Sequence, residues 1–465
     1  MFDSYITFHA RARPSALAIV TTNGMVNFEK FDQDINRAVA ELDDLHLGVD
    51  ESVSVAVANP YLEWVLVLAL SRRGIATAPS TDIASQQRIS DGSNTSCLAT
   101  FMLAPEAINR IFYGPVRPTA SRRPEESALA RILVSSGTTG EQKRVGMSWK
   151  VIDAAIRNAL IAYGAPDGPW LASTGIGTIL GLVVTLACWA SGNAAVLGMG
   201  GTLMPGHLAI VRPRLIALVP DQLQRLLDDL PEHHEKRPLR IITGGGPVPP
   251  ALAQRTRFRL TDDLRSVYGA SETGAVAIAT LSLLEDVVGA AGYVLPMVDV
   301  EIIDELGNPQ RAGTLGRVRI RSNRVADHWL DGTPQSAGMC EDGWFHSTDL
   351  GRLSEDGLLS IEGRVDDVMN LGGHKMLPAW IEKAVLTCPG VKDVAAFSVP
   401  NDYGLEQCWL ALVVTPSVTL TQIVAVLKHQ LIWFKSIKLL PLETLPRNEM
   451  GKVQRDRLRN LAMKI

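Results

Sequence analysis

Cysteine, runs of like charge and long apolar stretches are all scarce in this 465-residue sequence, and each scarcity removes a class of protein. The five cysteines (Cys97, Cys188, Cys340, Cys388 and Cys408) are scattered, odd in number and without a C-x-x-C pair. That pattern argues for a reducing cytoplasm and against a disulfide framework or a zinc site. A formal net charge of −4 gives no reason to expect a nucleic-acid or membrane-surface binder. The start, Met1-Phe2-Asp3-Ser4, has no basic region ahead of an apolar run, so no secretory signal is expected. One stretch, 169–211, lacks Asp, Glu, Lys and Arg, and 176–190 is nearly all apolar. A membrane-spanning helix needs about 20 apolar residues. Ser191-Gly192-Asn193 interrupts the run, so a helix buried between sheets is expected there. The remaining composition, 46% hydrophobic and 20% charged, is that of a globular protein long enough for two or three domains.

What is present starts with Ser135-Ser136-Gly137-Thr138-Thr139-Gly140-Glu141-Gln142-Lys143. Arg131-Ile132-Leu133-Val134, just before it, reads as a short buried strand. A loop of glycines, hydroxyls and one lysine suits polyphosphate: backbone N–H groups close on anionic oxygens, hydroxyls add donors, and lysine adds charge. It is not a Walker loop, because Glu141 and Gln142 separate Gly140 from Lys143. In isolation an exposed Ser/Thr/Gly turn would look the same.

Along the chain, short β-branched runs alternate with helical patterns. Ser52-Val53-Ser54-Val55-Ala56-Val57 is followed by an apolar helix over 64–70, and strands are expected at 194–197, 215–219 and 240–243. Such alternation signals mainly parallel sheets covered by helices, an α/β fold. After about Gly289 the runs 298–303 and 316–321 alternate strictly, as half-exposed antiparallel strands do. From near Gly363 a final unit reads as α+β, with elements expected over 379–386, 394–399, 410–414 and 420–431.

Four further motifs follow the phosphate loop in order: Gly244-Gly245-Gly246-Pro247; Tyr268-Gly269-Ala270-Ser271-Glu272; Ser347-Thr348-Asp349 with Gly363-Arg364-Val365-Asp366-Asp367; and Gly451-Lys452. This order and spacing resemble the adenylate-forming superfamily of acyl- and aryl-CoA synthetases, peptide-synthetase adenylation domains and luciferases. The likeness spans nearly the whole chain and is weakest before about residue 125, while 363–382 looks most like acyl-CoA synthetases. The resemblance implies a large N-terminal domain over 1–365, built of helix-covered mixed β-sheets with a β-barrel-like part. A small mobile α+β C-terminal domain over 366–465 would follow.

It also implies roles. Ser135, Ser136, Gly137, Thr138, Thr139, Gly140 and Lys143 would hold the ATP phosphates, with Thr139 among the catalytic groups. Gly244, Gly245, Gly246 and Pro247 would lie against adenine, beside Tyr268, Gly269, Ala270 and Ser271. Glu272 would be a catalytic carboxylate and the Mg2+ ligand, a hard oxygen donor of the kind magnesium prefers. Asp349 would accept both ribose hydroxyls and Arg364 would be the second ribose or phosphate contact. Asp366 matches the hinge and Lys452 the mobile catalytic lysine, while Gly372 and Gly373 would let the CoA pantetheine pass close to backbone. Arg455, Arg457 and Arg459, taken alone, read as a solvated helix face. Three departures stand out: Gln142 where many relatives carry proline, Ser271 where threonine is usual, and Thr348 where glycine is usual.

The implied reaction is ATP-dependent activation of a carboxylic acid with pyrophosphate release, then thioester formation with CoA or with a carrier-protein phosphopantetheine thiol. The segment Ser173-Thr174-Gly175-Ile176-Gly177-Thr178 corresponds to a wall of the acyl pocket, where amino-acid-activating relatives carry an aspartate. None is present, and burying an unpaired ammonium would cost several kcal/mol, so a neutral organic acid is expected. Two other readings fail on spacing. Gly175-Ile176-Gly177-Thr178-Ile179-Leu180-Gly181 has its third glycine one residue late for dinucleotide binding, and the adjacent histidines of Glu232-His233-His234-Glu235 would diverge on a helix. A paralogue that keeps the fold and binds nucleotide without turnover is the rival outside enzymes.

Overall fold

The structure is a computed structural model. It describes residues 2–22, 24–45, 47, 52–82, 87–91, 101–117, 123–136, 142–198, 205–287, 289–330, 343–371, 374–401, 405–415, 423, 437–448 and 451–464. These fall into two compact units, Met1–Val288 with Leu295–Val298 and Arg321–Gly338, and Gly289–Val294 with Asp299–Ile320 and Met339–Ile465.

In the first unit, one run of strands has the order Gly24–Asn27, Leu17–Thr21, Ala195–Val196, Trp170–Ala172, Leu215–Leu218, Arg240–Gly244, Asp263–Ala270 and Gly274–Thr280. The six inner strands are parallel and only the two ends are antiparallel. Leu215–Leu218 is buried along its whole length, which is why the inner strands read as unbroken apolar runs. A second sheet of seven strands carries the hairpin of Leu129–Ser136 and Gln142–Ser148. The helix Trp149–Tyr163 packs on strands of both sheets and on the helix Ile179–Ala190.

That second helix is the charge-free segment of the sequence. Thr178 caps its start by accepting from the Gly181 N–H at 3.0 Å, and Gly181 to Trp189 are all buried. Its 12 residues form a core helix, and no described helix is long and apolar enough to cross a membrane.

In the second unit the strands Val298–Ile303, Gly316–Ser322, Phe345–Leu353, Leu358–Arg364 and Ala290–Val294 lie side by side. Their registered pairs are antiparallel, as their alternation predicts. Further on, Val391–Pro400 pairs antiparallel with Glu406–Val414, which pairs parallel with Ile437–Pro441. Alternate residues of this sheet enter two cores. Val394, Ala396, Leu410 and Leu412 pack with Ile381 and Val385 of the helix Pro378–Leu386. Ala395, Phe397, Val399 and Ala411 pack with Leu458 of the helix Arg455–Ala462. Of the expected element over 420–431 only Ile423 is described, in a helical conformation. The expected α/β architecture with an α+β lobe is borne out.

Candidate active site

The parallel strands of the first unit set its geometry. Trp170–Ala172, Leu215–Leu218, Arg240–Gly244 and Asp263–Ala270 run in register, with Ala217 opposite Ala172 and Gly244 opposite Val267. Residues 173–178, 244–247 and 268–272 lie at or just past the carboxyl ends of these strands, the edge where open α/β sheets bind ligands. A Cβ on Gly244 would stand 3.6 Å from Leu180, and Gly245 adopts φ +86°, a backbone conformation that disfavours larger residues. Gly269 is tighter still, because a Cβ there would fall 2.0 Å from the Gly274 carbonyl oxygen.

The turn after Tyr268 is held by groups the sequence did not single out. Thr273, fully buried, accepts from the Ala270 N–H at 3.1 Å through its hydroxyl. Ala326 N donates to the Glu272 carbonyl at 2.7 Å. The backbone of Glu272 is thereby fixed, and no described residue bonds its carboxylate.

The 173–178 segment is anchored from two directions. Ser173 N donates to Ala217 O at 2.9 Å, and the Ser173 hydroxyl donates to Gln222 Oε1 at 2.6 Å. Gln222 also accepts from Val219 N at 3.1 Å, so one amide caps its own helix and ties down the loop. From the other sheet, the fully buried Arg131 donates to Thr77 Oγ1 at 3.0 Å and to the Ile176 carbonyl at 3.1 Å. Burial pulls the Arg131 pKa down to about 10, against the support of Glu63. Burial likewise pushes Glu63 up to about 7, with Arg131 opposing. Arg131 and Gln222 lay hidden because an arginine in a strand and a glutamine in a helix carry no motif, and their partners are 45 and 49 residues away.

The phosphate segment is a hairpin, with Ser135 opposite Lys143 and Ser136 opposite Gln142. Lys143 thus belongs to a strand rather than to the loop. Gly137, Thr138, Thr139 and Gly140 lie outside the described residues, as do the side chains of Ser135, Ser136 and Lys143.

In the second unit, Asp349 and Arg364 face each other across Phe345–Leu353 and Leu358–Arg364. The Ser347 hydroxyl donates to Val318 O at 2.9 Å and accepts from Asp349 N at 3.1 Å. The Arg364 guanidinium donates to Thr348 Oγ1 from Nε at 3.1 Å and from Nη2 at 2.5 Å. Its Nε stands 3.7 Å from Asp349 Oδ1. Asp366 sits exposed in the 3-10 turn Val365–Asp367. Leu371 and His374 are antiparallel partners, and Gly372 and Gly373 lie outside the described residues.

Lys452 occupies a turn built from its neighbours. Asn448 Oδ1 accepts from Lys452 N at 2.9 Å, and Asn448 N donates to Lys452 O at 2.9 Å. Arg447 donates to Gly451 O at 2.8 Å and to the Asp393 carboxylate at 2.7 Å. The solvated helix face expected around Arg455 needs correction. Arg455 donates to Glu382 at 2.7 Å and to Ala396 O at 3.1 Å, and Arg459 donates to Ser398 O at 3.4 Å. The lobe buries these stems to cover its sheet, while Arg457 stays exposed.

The carboxyl edge of a parallel sheet, here carrying a glycine turn, an aromatic and a carboxylate, is where open α/β sheets bind their ligands. Known proteins narrow this. The profile of the AMP-binding enzyme family matches residues 6–329, and the chain belongs to that family. It is 22% identical to a 2-succinylbenzoate–CoA ligase of Listeria monocytogenes, over 98% of both chains. It is 23% identical to a fatty acid–[acyl-carrier-protein] ligase of Streptomyces coeruleorubidus, over 98% of this chain and 95% of the other. Among solved structures, ATP-bound MatB from Rhodopseudomonas palustris matches with a TM-score of 0.87 at 23% identity, covering 99% of each chain, a likeness of fold. The family membership expected from the motifs is borne out.

Proposed function

We propose that this chain is an AMP-forming acid–thiol ligase that activates a neutral carboxylic acid with ATP and passes the acyl group to CoA. The observation that carries this reading is the shared carboxyl edge of the parallel sheet, which collects 173–178, Gly244–Pro247 and Tyr268–Glu272 in an AMP-binding enzyme. CoA ligases among its relatives support the acceptor.

In the first step a carboxylate oxygen attacks the α-phosphorus, and pyrophosphate leaves. The protein has only to align two anions and offset the charge that develops. Gly244, Gly245, Gly246 and Pro247 are read as the adenine ledge, with Tyr268, Gly269, Ala270 and Ser271 beside it. Lys143, Arg364 and Lys452 are read as the positive groups, and Asp349 as the acceptor of the ribose hydroxyls. In the second step the thiol sulfur attacks the acyl carbonyl of the mixed anhydride, its proton passes to solvent or to the departing phosphate, and AMP leaves.

Among the described residues no cluster of three or more His, Cys, Asp or Glu is arranged to hold a metal ion. A single carboxylate on a held backbone still fits magnesium that arrives with ATP, since Mg2+ takes one or two carboxylates beside phosphate oxygens and water. Glu272 would hold it, and the ion would supply charge neutralisation on the phosphates. The acid is assigned as neutral because 173–178 carries no charged side chain.

Residues 366–465 are read as a small mobile domain hinged at Asp366, and two apolar cores made wholly of residues beyond 366 support that division. Gly372 and Gly373 are read as the pantetheine passage. A cytoplasmic setting is consistent with the scattered cysteines.

A second acceptor is favoured by one observation, the carrier-protein ligase among near full-length relatives. The deciding experiment measures pyrophosphate release over a panel of short, long and aromatic acids, with ATP and magnesium. The thioester formed on CoA or on added carrier protein is identified by mass. Acid-dependent release is expected; ATP binding with no release for any acid would overturn the reading in favour of a non-catalytic nucleotide binder.

A further inference from the structure

A buried arginine is a costly way to fill a strand, because its charge loses water and needs partners to offset that loss. Arg131 is 1% exposed, and its neighbours Ala130, Ile132 and Leu133 are buried apolar residues. It stands in register with Thr77 of the parallel strand beside it and donates to that hydroxyl at 3.0 Å. Its Nη2 reaches out of the sheet and donates to the Ile176 carbonyl at 3.1 Å. The residue so held lies between two glycines. Gly175 adopts φ +68° with open space where a Cβ would stand, and Gly177 follows Ile176 directly. Both ends of the segment are fastened without Arg131: Ser173 to Ala217 and Gln222, and Thr178 to the Gly181 N–H that starts the next helix. Two glycines give the middle the widest choice of backbone conformations, and the guanidinium selects one of them.

We propose that Arg131 is a positioning residue that sets the selectivity of the acyl pocket, pinning the Ile176 carbonyl and so fixing the wall 173–178 against which the organic part of the acid packs. The inference rests on the reading of 173–178 as that wall. Held in one conformation, the wall gives the pocket one depth, and acids that differ by a methylene are told apart by the contacts each gains or loses. Released, the Gly175-Ile176-Gly177 stretch adjusts to each acid and the difference shrinks. An apolar residue at 131 would fill the strand at least as well and would leave the carbonyl untethered.

The test uses the full chain and two homologous series, straight-chain acids from acetate to dodecanoate and benzoates with 4-alkyl groups of growing length. Pyrophosphate release gives kcat/KM for each acid, and KM for ATP with the best acid, in wild type, Arg131→Met/Glu63→Gln and Arg131→Lys. Methionine approaches the length of arginine without its donors. Glu63→Gln removes the carboxylate that supports the Arg131 charge, so no buried charge is left alone. The readout is the ratio between the best acid and its homologue one methylene away; an inactive fraction of enzyme lowers both rates alike and cancels. That ratio should be about tenfold or more in wild type and should fall about fivefold in the double variant, while KM for ATP stays as in wild type. Arg131→Lys, which keeps a charged donor, should lie between the two. Should the double variant fail to fold, Arg131→Gln, neutral and shorter, is read in its place. A wild-type ratio in that variant, a fall in ATP affinity in step with the acid, or a wild type that does not separate homologues overturns the inference and leaves the function standing. Absence of acid-dependent release from wild type overturns the function and the inference together.

Discussion

At the scale of single residues, backbone bonds hold the turn on which Lys452 stands. The bonds that fix it run through its backbone to Asn448 and from Arg447 to Gly451 and Asp393. Lys452→Ala keeps those backbone bonds, and its effect should fall on turnover far more than on ATP affinity. Pyrophosphate release should fall by roughly 10²–10³-fold, the usual worth of one transition-state charge contact. Equal loss of binding and turnover would mean that the lysine serves the ground state.

Glu63 offers a different test. Burial raises its pKa from the usual 4.5 to about 7, so the folded chain holds this proton more tightly than the unfolded chain does. Its contribution to stability is complete below pH 4.5 and is lost as pH rises through 7. Glu63→Gln copies the protonated form. Its unfolding free energy relative to wild type should climb between those pH values and level off above them, the gap reaching at most about 3 kcal/mol. A gap that stays flat across that range would show that Glu63 does not titrate there.

Elements show why the site needs glycine in some places and tolerates more in others. At Gly269 a Cβ would overlap the Gly274 carbonyl, whereas at Gly246 it would meet only Pro220 at an ordinary 3.8 Å. Gly269→Ala is expected to cost about 3 kcal/mol by overpacking against backbone, and Gly246→Ala well under 1 kcal/mol. Thermal unfolding of the two variants side by side checks the contrast, and equal losses would refute it. These elements were largely legible in advance. Apolar runs gave the parallel strands, and the missing charges gave the buried helix Ile179–Ala190. What stayed hidden was polar and long-range. Arg131 in a buried strand, Gln222 across two elements and Thr273 inside a turn have roles only where distant backbone supplies partners. Thr348 looked like a lapse from a glycine motif until its hydroxyl was seen on Arg364.

For the whole molecule, the proposed division at Asp366 predicts a separation of the two half-reactions. Asp366→Pro, in an exposed turn, should fix the chain direction without opening either apolar core. Adenylate formation, followed as acid-dependent pyrophosphate release, should persist while thioester formation stops. Parallel loss of both would remove residue 366 from the hinge.

The order of the parallel strands bears on how the chain folds. The proposed adenine ledge is complete only after Trp170–Ala172, Leu215–Leu218, Arg240–Gly244 and Asp263–Ala270 have come into register. Pairings of that kind close long loops before they are rewarded and are slow to form. During refolding, helical signal should return well before affinity for ATP. A chain still emerging from the ribosome is expected to stay blind to nucleotide until the strand that ends at Ala270 has been made and docked.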